Sequence, residues 1–277
     1  MHTPVAATLT YVYAATPPAP VLDDLLPTLD GVAGSPVGLL LPPGEESGPV
    51  AFVISEVPRA DWAEDVLRDR FEDLRWLEDT ARAHHRVVEA LAVRTTVLPL
   101  RMATLYEDHA GALRALHEEA QELATRLARL SSRTEYGVKV YVRPAAAPDP
   151  PAASAAAAEP APVSPGKAYL RARRAQHDIR EDHYRQAQLA AERIAAVGRE
   201  YGAARVSHAP QSGPLAESAV GENVLNDAFL VPDGEADAFR AAVHRAGEDL
   251  PGIRVEVTGP WAPYSFAASL PDPSSQP

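Results

Sequence analysis

A chain of 277 residues is about twice the length of one typical domain, so two hydrophobic cores are expected. With 46% hydrophobic and 23% charged residues it has the composition of a globular protein, and no stretch approaches the roughly 18 apolar residues of a membrane span. The 38 acidic against 26 basic residues give a net charge of −12, a field that opposes phosphate backbones. The absence of cysteine excludes a disulfide framework, a thiolate nucleophile and a sulfur-based zinc or iron site.

The first basic side chain is Arg59, and Pro17, Pro18 and Pro20 interrupt the opening segment, so no secretory signal is expected. Together with the missing cysteines this points to a cytoplasmic protein. Residues 8–14 (TLTYVYA) carry the aromatic and β-branched content of a strand, and residues 49–57 (PVAFVISEV) read as a buried one. Gly31, Gly34, Pro36, Pro42, Pro43 and Gly44 lie between them, with room for a short strand at 37–41.

Asp61 with Glu64 three residues on has capping-box spacing and predicts one helix from there to about Ala92. Its apolar stripe is Leu67, Phe71, Leu74, Leu77, Ala81, His84, Val88 and Leu91, at steps of three and four. Residues 95–104 (TTVLPLRMAT) follow as a strand in which Pro99 demands an edge or a bulge, because proline donates no ladder hydrogen bond. A second amphipathic helix is expected over 107–131 and an alternating strand over 136–142 (YGVKVYV).

Ala and Pro fill 17 of the 22 positions from 144 to 165, too little apolar surface to offset the entropy of ordering, which marks a linker. Beyond it come a long polar helix over 166–202, strands at 204–208 and 222–231, a short helix at 235–248 and a last strand at 253–259. The expected fold class is α+β in two domains. An N-terminal sheet-and-helix domain takes residues 1–143. A C-terminal modified ferredoxin-like domain, preceded by the long helix, takes 166–267, with 268–277 as a disordered tail. Neither half repeats the other by residue identity.

Three segments then carry a resemblance. WLEDTARAHHRVV at 76–88, followed by VLPLRMAT at 97–104, is similar to a helix and strand of the gas vesicle protein F/L family, which usually has VLPLRFGT where this chain has Met102 and Ala103. GPWAPYSF at 259–266 resembles that family's GPWPPYSF, and YVY at 11–13 resembles its opening strand. The resemblance implies an assembly factor or minor component of gas vesicles, associated with them in the cytoplasm. The implied partners are the small hydrophobic shell protein and other gas vesicle accessory proteins, with no nucleic acid and no membrane. It also implies a protein that is not an enzyme and needs no cofactor. The alternative read from two domains alone is a small-molecule-binding enzyme using an interdomain cleft.

His84, His85 and Glu89 have helical spacing for a metal, but no third ligand and supporting shell is visible, so His84 reads as a hydrogen-bonded core histidine. His177, Asp182 and His183 read as solvated surface. Lys167, Arg171, Arg173 and Arg174 read as a charged helix face or as a patch for an acidic protein. No nucleophile elbow, HExxH or GxGxxG occurs, so no catalytic, metal or cofactor residue is assigned. Trp261, Tyr264 and Phe266 follow Gly259-Pro260 as rigid aromatics suited to anchor a partner or to pack on the core. Arg101 joins them as a partner-binding residue on the strength of the resemblance alone.

Overall fold

The run TLTYVYAAT, buried on both faces beyond its first residue, forms strand β1 (Thr8–Thr16), and its neighbours in the first sheet are β2 (Gly38–Leu40), β3 (Ala51–Pro58) and β4 (Leu98–Tyr106). The computed structural model describes residues 7–42, 48–143, 165–211 and 221–267, and the side chains of 165–169 and of Ala172 are outside that set. The expected linker core at 144–164 and the tail at 268–277 fall outside the described residues.

Helix α1 (Val21–Leu25) and two short 3-10 turns connect β1 to β2. Helices α2 (Arg59–Trp62), α3 (Glu64–Arg70) and α4 (Leu74–Ala92) connect β3 to β4. The sheet order is β2-β3-β1-β4, and each neighbouring pair is antiparallel. A strand inserted between two others that a crossover joins, repeated twice, is the split β-α-β arrangement of ferredoxin-like folds. Helix α5 (His109–Leu130), capped by the Asp108 carboxylate on the Gly111 N–H at 2.7 Å, follows β4.

The single helix expected from Asp61 is three. Ala63 adopts extended backbone between α2 and α3, and Asp73, not Asp61, caps the long helix by accepting from the N–H groups of Arg75 and Trp76. The break rotates the buried stripe: α4 buries Thr80, Ala83, His84, Val87, Val88 and Leu91, while Phe71 and Leu74 are exposed. Fully burying a side chain such as Leu91 contributes roughly 1.5–3 kcal/mol, which is what holds α4 to the sheet.

The second sheet contains β5 (Arg133–Val142), β6 (Ala204–His208), β7 (Glu222–Pro232) and β8 (Ile253–Trp261), in the order β6-β7-β5-β8. Helix α6 (Pro165–Glu200) crosses from β5 to β6, and α7 (Ala236–Glu248) crosses from β7 to β8. Strand β5 was expected to close the first domain, but it lies inside the second sheet and supplies the first strand of that β-α-β-β-α-β set. Helix α6 is therefore an integral crossover and does not merely precede the domain. The chain falls into two compact units, Met1–Glu135 with Pro260–Pro277, and Tyr136–Gly259. The closing aromatic segment, placed by the sequence in the second domain, belongs to the first unit and ends in the short helix α8 (Tyr264–Ala267).

Candidate functional site

Within the first unit, β1 carries two tyrosines pointing into the core under α4, and both are fully buried. The Tyr11 hydroxyl accepts from the Ala103 N–H at 3.1 Å and lies 2.8 Å from His84 Nδ1. With a donor already aimed at its oxygen, the phenol directs its proton to Nδ1, so the neutral imidazole carries its own proton on Nε2. Burial lowers the His84 pKa to about 4; the Leu100 carbonyl side of the pocket opposes that shift and the neighbouring His85 adds to it. His84 Nε2 is buried without a hydrogen-bond partner among the described residues. Burial likewise raises the pKa of the Tyr11 phenol.

Tyr13 repeats the pattern one pleat away. Its hydroxyl donates to Ser55 Oγ at 2.9 Å and accepts from the Val32 N–H at 2.8 Å, while Ser55 donates to the Pro36 carbonyl at 2.7 Å. A Cβ on Gly31 would sit 2.3 Å from the Tyr13 oxygen, so only glycine lets the turn approach this closely.

Strand β4 is deformed where it meets β1. Val12 pairs with Thr104 and Ala14 with Pro99, so Leu100, Arg101, Met102 and Ala103 all face the single residue Tyr13. Strand β4 is both at the sheet edge and bulged, the two settings of which Pro99 was expected to need one. The Thr104 hydroxyl donates to the Arg101 carbonyl at 2.7 Å across the bulge. Ala103 has φ 61°, the left-handed region that glycine enters more easily.

The closing segment docks against the same place. Glu135, only 7% exposed, accepts from the Ser265 N–H at 3.0 Å and from its hydroxyl at 2.7 Å. Burial raises the Glu135 pKa, and the two Ser265 hydrogen bonds oppose the shift. The Tyr264 ring then lies 5.6 Å from the His85 ring and 6.5 Å from that of His84. Its hydroxyl is buried without a hydrogen-bond partner among the described residues, and burial raises its pKa, helped by the nearby Glu89 carboxylate.

Beside this junction runs a groove of about 820 Å³. The β4 bulge supplies Leu100, Arg101 and Met102, α4 supplies His85, α5 supplies Leu123 and Arg126, and α8 supplies Tyr264. Phe52 and Tyr106 stack at its base with centroids 6.4 Å apart. The lining is apolar through Leu100, Met102 and Leu123 and carries charge of both signs through Arg101, Arg126 and Glu119, suited to hold an apolar side chain or a short polar segment.

Of the four residues expected at a partner surface, Arg101 is exposed and shares this groove with Tyr264. Trp261 is 42% exposed at the end of β8 and does not line the groove. Phe266 is 1% exposed, so it sits in the core and not on the surface expected for that position. His84 is the hydrogen-bonded core histidine the helix pattern implied, and His85 pairs with Glu89 at 3.0 Å. His177, Asp178 and Glu181 cluster on α6, but all three are exposed. Glu135, Tyr106 and Arg126 were not singled out from the sequence. Nothing near Glu135 in the chain signals a partner 130 residues away.

The segments that meet here are YVY, the His-His helix, the VLPL strand and the closing aromatics, and the matches to known proteins span the region that holds them. A family model described as "Gas vesicle synthesis protein GvpL/GvpF" matches residues 9–268. Gas vesicle protein L of Streptomyces sp. (strain CB03234) is 40% identical over 260 residues, covering 94% of this chain and 92% of that protein. Gas vesicle protein F of the same strain is 28% identical over 209 residues, covering 73% and 82%. The crystal structure of gas vesicle protein GvpF from Anabaena sp. PCC7120 superposes with a TM-score of 0.61 at 17% identity, over 94% of this chain and 96% of that one. That of GvpF from Microcystis aeruginosa gives 0.57, also at 17% identity, over 95% and 99%. At such identities the structures speak for the fold, and the matches in sequence carry the assignment: this chain belongs to the gas vesicle synthesis protein GvpL/GvpF family.

Proposed function

We propose that this protein is a cytoplasmic, non-enzymatic assembly factor that engages the small hydrophobic shell protein, or another gas vesicle accessory protein, while vesicles are being built. The observation that carries the reading is the convergence of the family's segments on one hub, with the groove beside it. Tyr11, His84 and Ala103 fix the bulge that presents Arg101 and Met102, and Glu135 fixes the segment that presents Tyr264. A very apolar shell subunit needs an escort that covers part of its surface and remains soluble through its own charge. Leu100, Met102 and Tyr106 offer the apolar contact, and Arg101 offers a charged rim. No described helix is long and apolar enough to cross a membrane.

The test is co-purification of the full chain with co-expressed small shell protein, comparing Arg101→Glu and Met102→Asp with the parent. Each substitution is expected to weaken capture about tenfold, equivalent to about 1.4 kcal/mol, with Tm within a few degrees of the parent. In host cells lacking the gene, electron microscopy should show absent or malformed vesicles. Undiminished capture by both variants would remove the groove from the reading, and normal vesicles in the deleted strain would remove the assembly role.

A further inference from the structure

The second unit has a cleft of its own, about 710 Å³, between α6 and the end of β5. Arg143, Arg173 and Arg180 line it, with Val142 and the Tyr184 ring beneath. The three guanidinium groups are not equivalent. Arg180 donates to the Tyr184 hydroxyl at 3.1 Å and lies 3.6 Å from the Glu222 carboxylate, so its charge is already answered. Arg143 and Arg173 have no ion-pair partner among the described residues. The one carboxylate in the lining, Glu181, sits 3.6 Å from His177. The backbone of Arg143 is held at both ends, its N–H donating to the Gly252 carbonyl at 2.8 Å and its carbonyl 3.2 Å from His183 Nδ1. Two exposed cationic side chains thus line one cleft above Val142 and Tyr184, one of them on a backbone held at both ends, in a chain whose net charge is −12.

We infer that this cleft binds a short acidic peptide segment of a protein partner, with carboxylates on Arg143 and Arg173 and an apolar side chain on Val142 and Tyr184. Guanidinium groups match carboxylates in planar, two-point fashion. The cleft falls in the size range of pockets that hold several side chains, larger than one inorganic anion needs. A nucleic acid fits poorly, because its phosphates continue at about one charge per 1.7 Å of duplex, whereas Asp178, Glu181 and Asp182 bound the patch on the same helix. This site is separate from the groove of the first unit and does not depend on the role assigned there.

The experiment is fluorescence anisotropy of the full chain with a labelled decapeptide alternating Glu and Leu. The controls are the same peptide with Gln for Glu, and a single-stranded oligonucleotide of equal charge. The acidic peptide is expected to bind saturably and to weaken with added salt, while the Gln peptide and the oligonucleotide bind at least about tenfold more weakly. Arg143→Ala/Arg173→Ala should reduce acidic-peptide affinity about tenfold or more, with Tm unchanged because both side chains are exposed. Arg101→Glu should leave it unaltered, which separates this site from the groove. No saturable binding, an unaffected double variant, or tighter binding of the oligonucleotide would each overturn the inference.

Discussion

Sheet β2-β3-β1-β4 and sheet β6-β7-β5-β8 thread their strands in one order, yet the first packs helices over a net of hydroxyl and imidazole groups and the second mainly over rings and aliphatic chains, with Asn223 and Asp227 of β7 as its buried polar groups. In the first unit Tyr11, Tyr13, Ser55 and His84 are buried and linked by hydrogen bonds. In the second, Phe239 is buried among Phe229, Tyr201 and Tyr136, with ring centroids 5.4, 6.3 and 6.4 Å away. Gly198 on α6 lies so close to Phe229 that a Cβ would come within 2.6 Å of its ring. Apolar packing rewards volume and tolerates shape changes at modest cost, whereas a buried polar net fixes particular atoms in particular places. The difference falls where a bulge and a docked terminal segment must be held in register beside a groove.

The sharpest way to break this contrast is Phe239→Ala. Removing a ring that is fully buried in a close-packed apolar core should destabilise the protein by about 3–5 kcal/mol in urea unfolding. A loss under about 1.5 kcal/mol would mean that the second core is not packed as described.

The first core should instead show itself through pH. His84 has its folded pKa depressed from 6.5 to about 4, so the unfolded chain binds the extra proton between those values. Its contribution is full above about pH 6.5, falls as the pH drops through that window, and is constant below about pH 4. The difference corresponds to up to about 3 kcal/mol. Glu135, with a raised folded pKa, acts in the opposite sense and partly offsets the fall. Denaturant midpoints measured from pH 7 to pH 4 should therefore drop, and His84→Gln, which still offers Tyr11 an acceptor, should flatten the curve. A variant with the parent's pH slope would show that another group sets it.

Much of this fold could be read from local pattern, and the failures have local causes. Aromatic and β-branched content placed β1 and β3 within a residue or two, and the strands expected at 204–208 and 222–231 match β6 and β7 as closely. The break between α3 and α4 was hidden because Leu67, Phe71, Leu74 and Leu77 continue at steps of three and four across it, and Asp61 with Glu64 imitates the cap that Asp73 makes. Strand β5 looked like the end of the first domain because sequence proximity says nothing about which sheet a strand joins. At the groove, Arg101 and Tyr264 were visible as unusual residues in shared segments. Their setting was not: Tyr11 meets His84 across 73 positions and Glu135 meets Ser265 across 130, and no periodicity encodes such pairs.

Ala103 gives the smallest expected effect and the most specific test of the polar core. Its N–H must point at the Tyr11 hydroxyl, and the bulge achieves this only with φ 61°. A Cβ in that region costs roughly 1–2 kcal/mol, while glycine adds roughly 0.5–1 kcal/mol of unfolded-state entropy. Ala103→Gly should therefore stabilise the protein by about 0.5–1 kcal/mol. The related family pattern with glycine here is what this geometry would favour. Tyr11→Phe removes the hydroxyl that the N–H serves. In that background the backbone is free to relax, and the gain from glycine should shrink. A double-mutant cycle in which the two changes add without interaction would mean that the phenol does not hold the bulge, and the polar net would then be packing by another name.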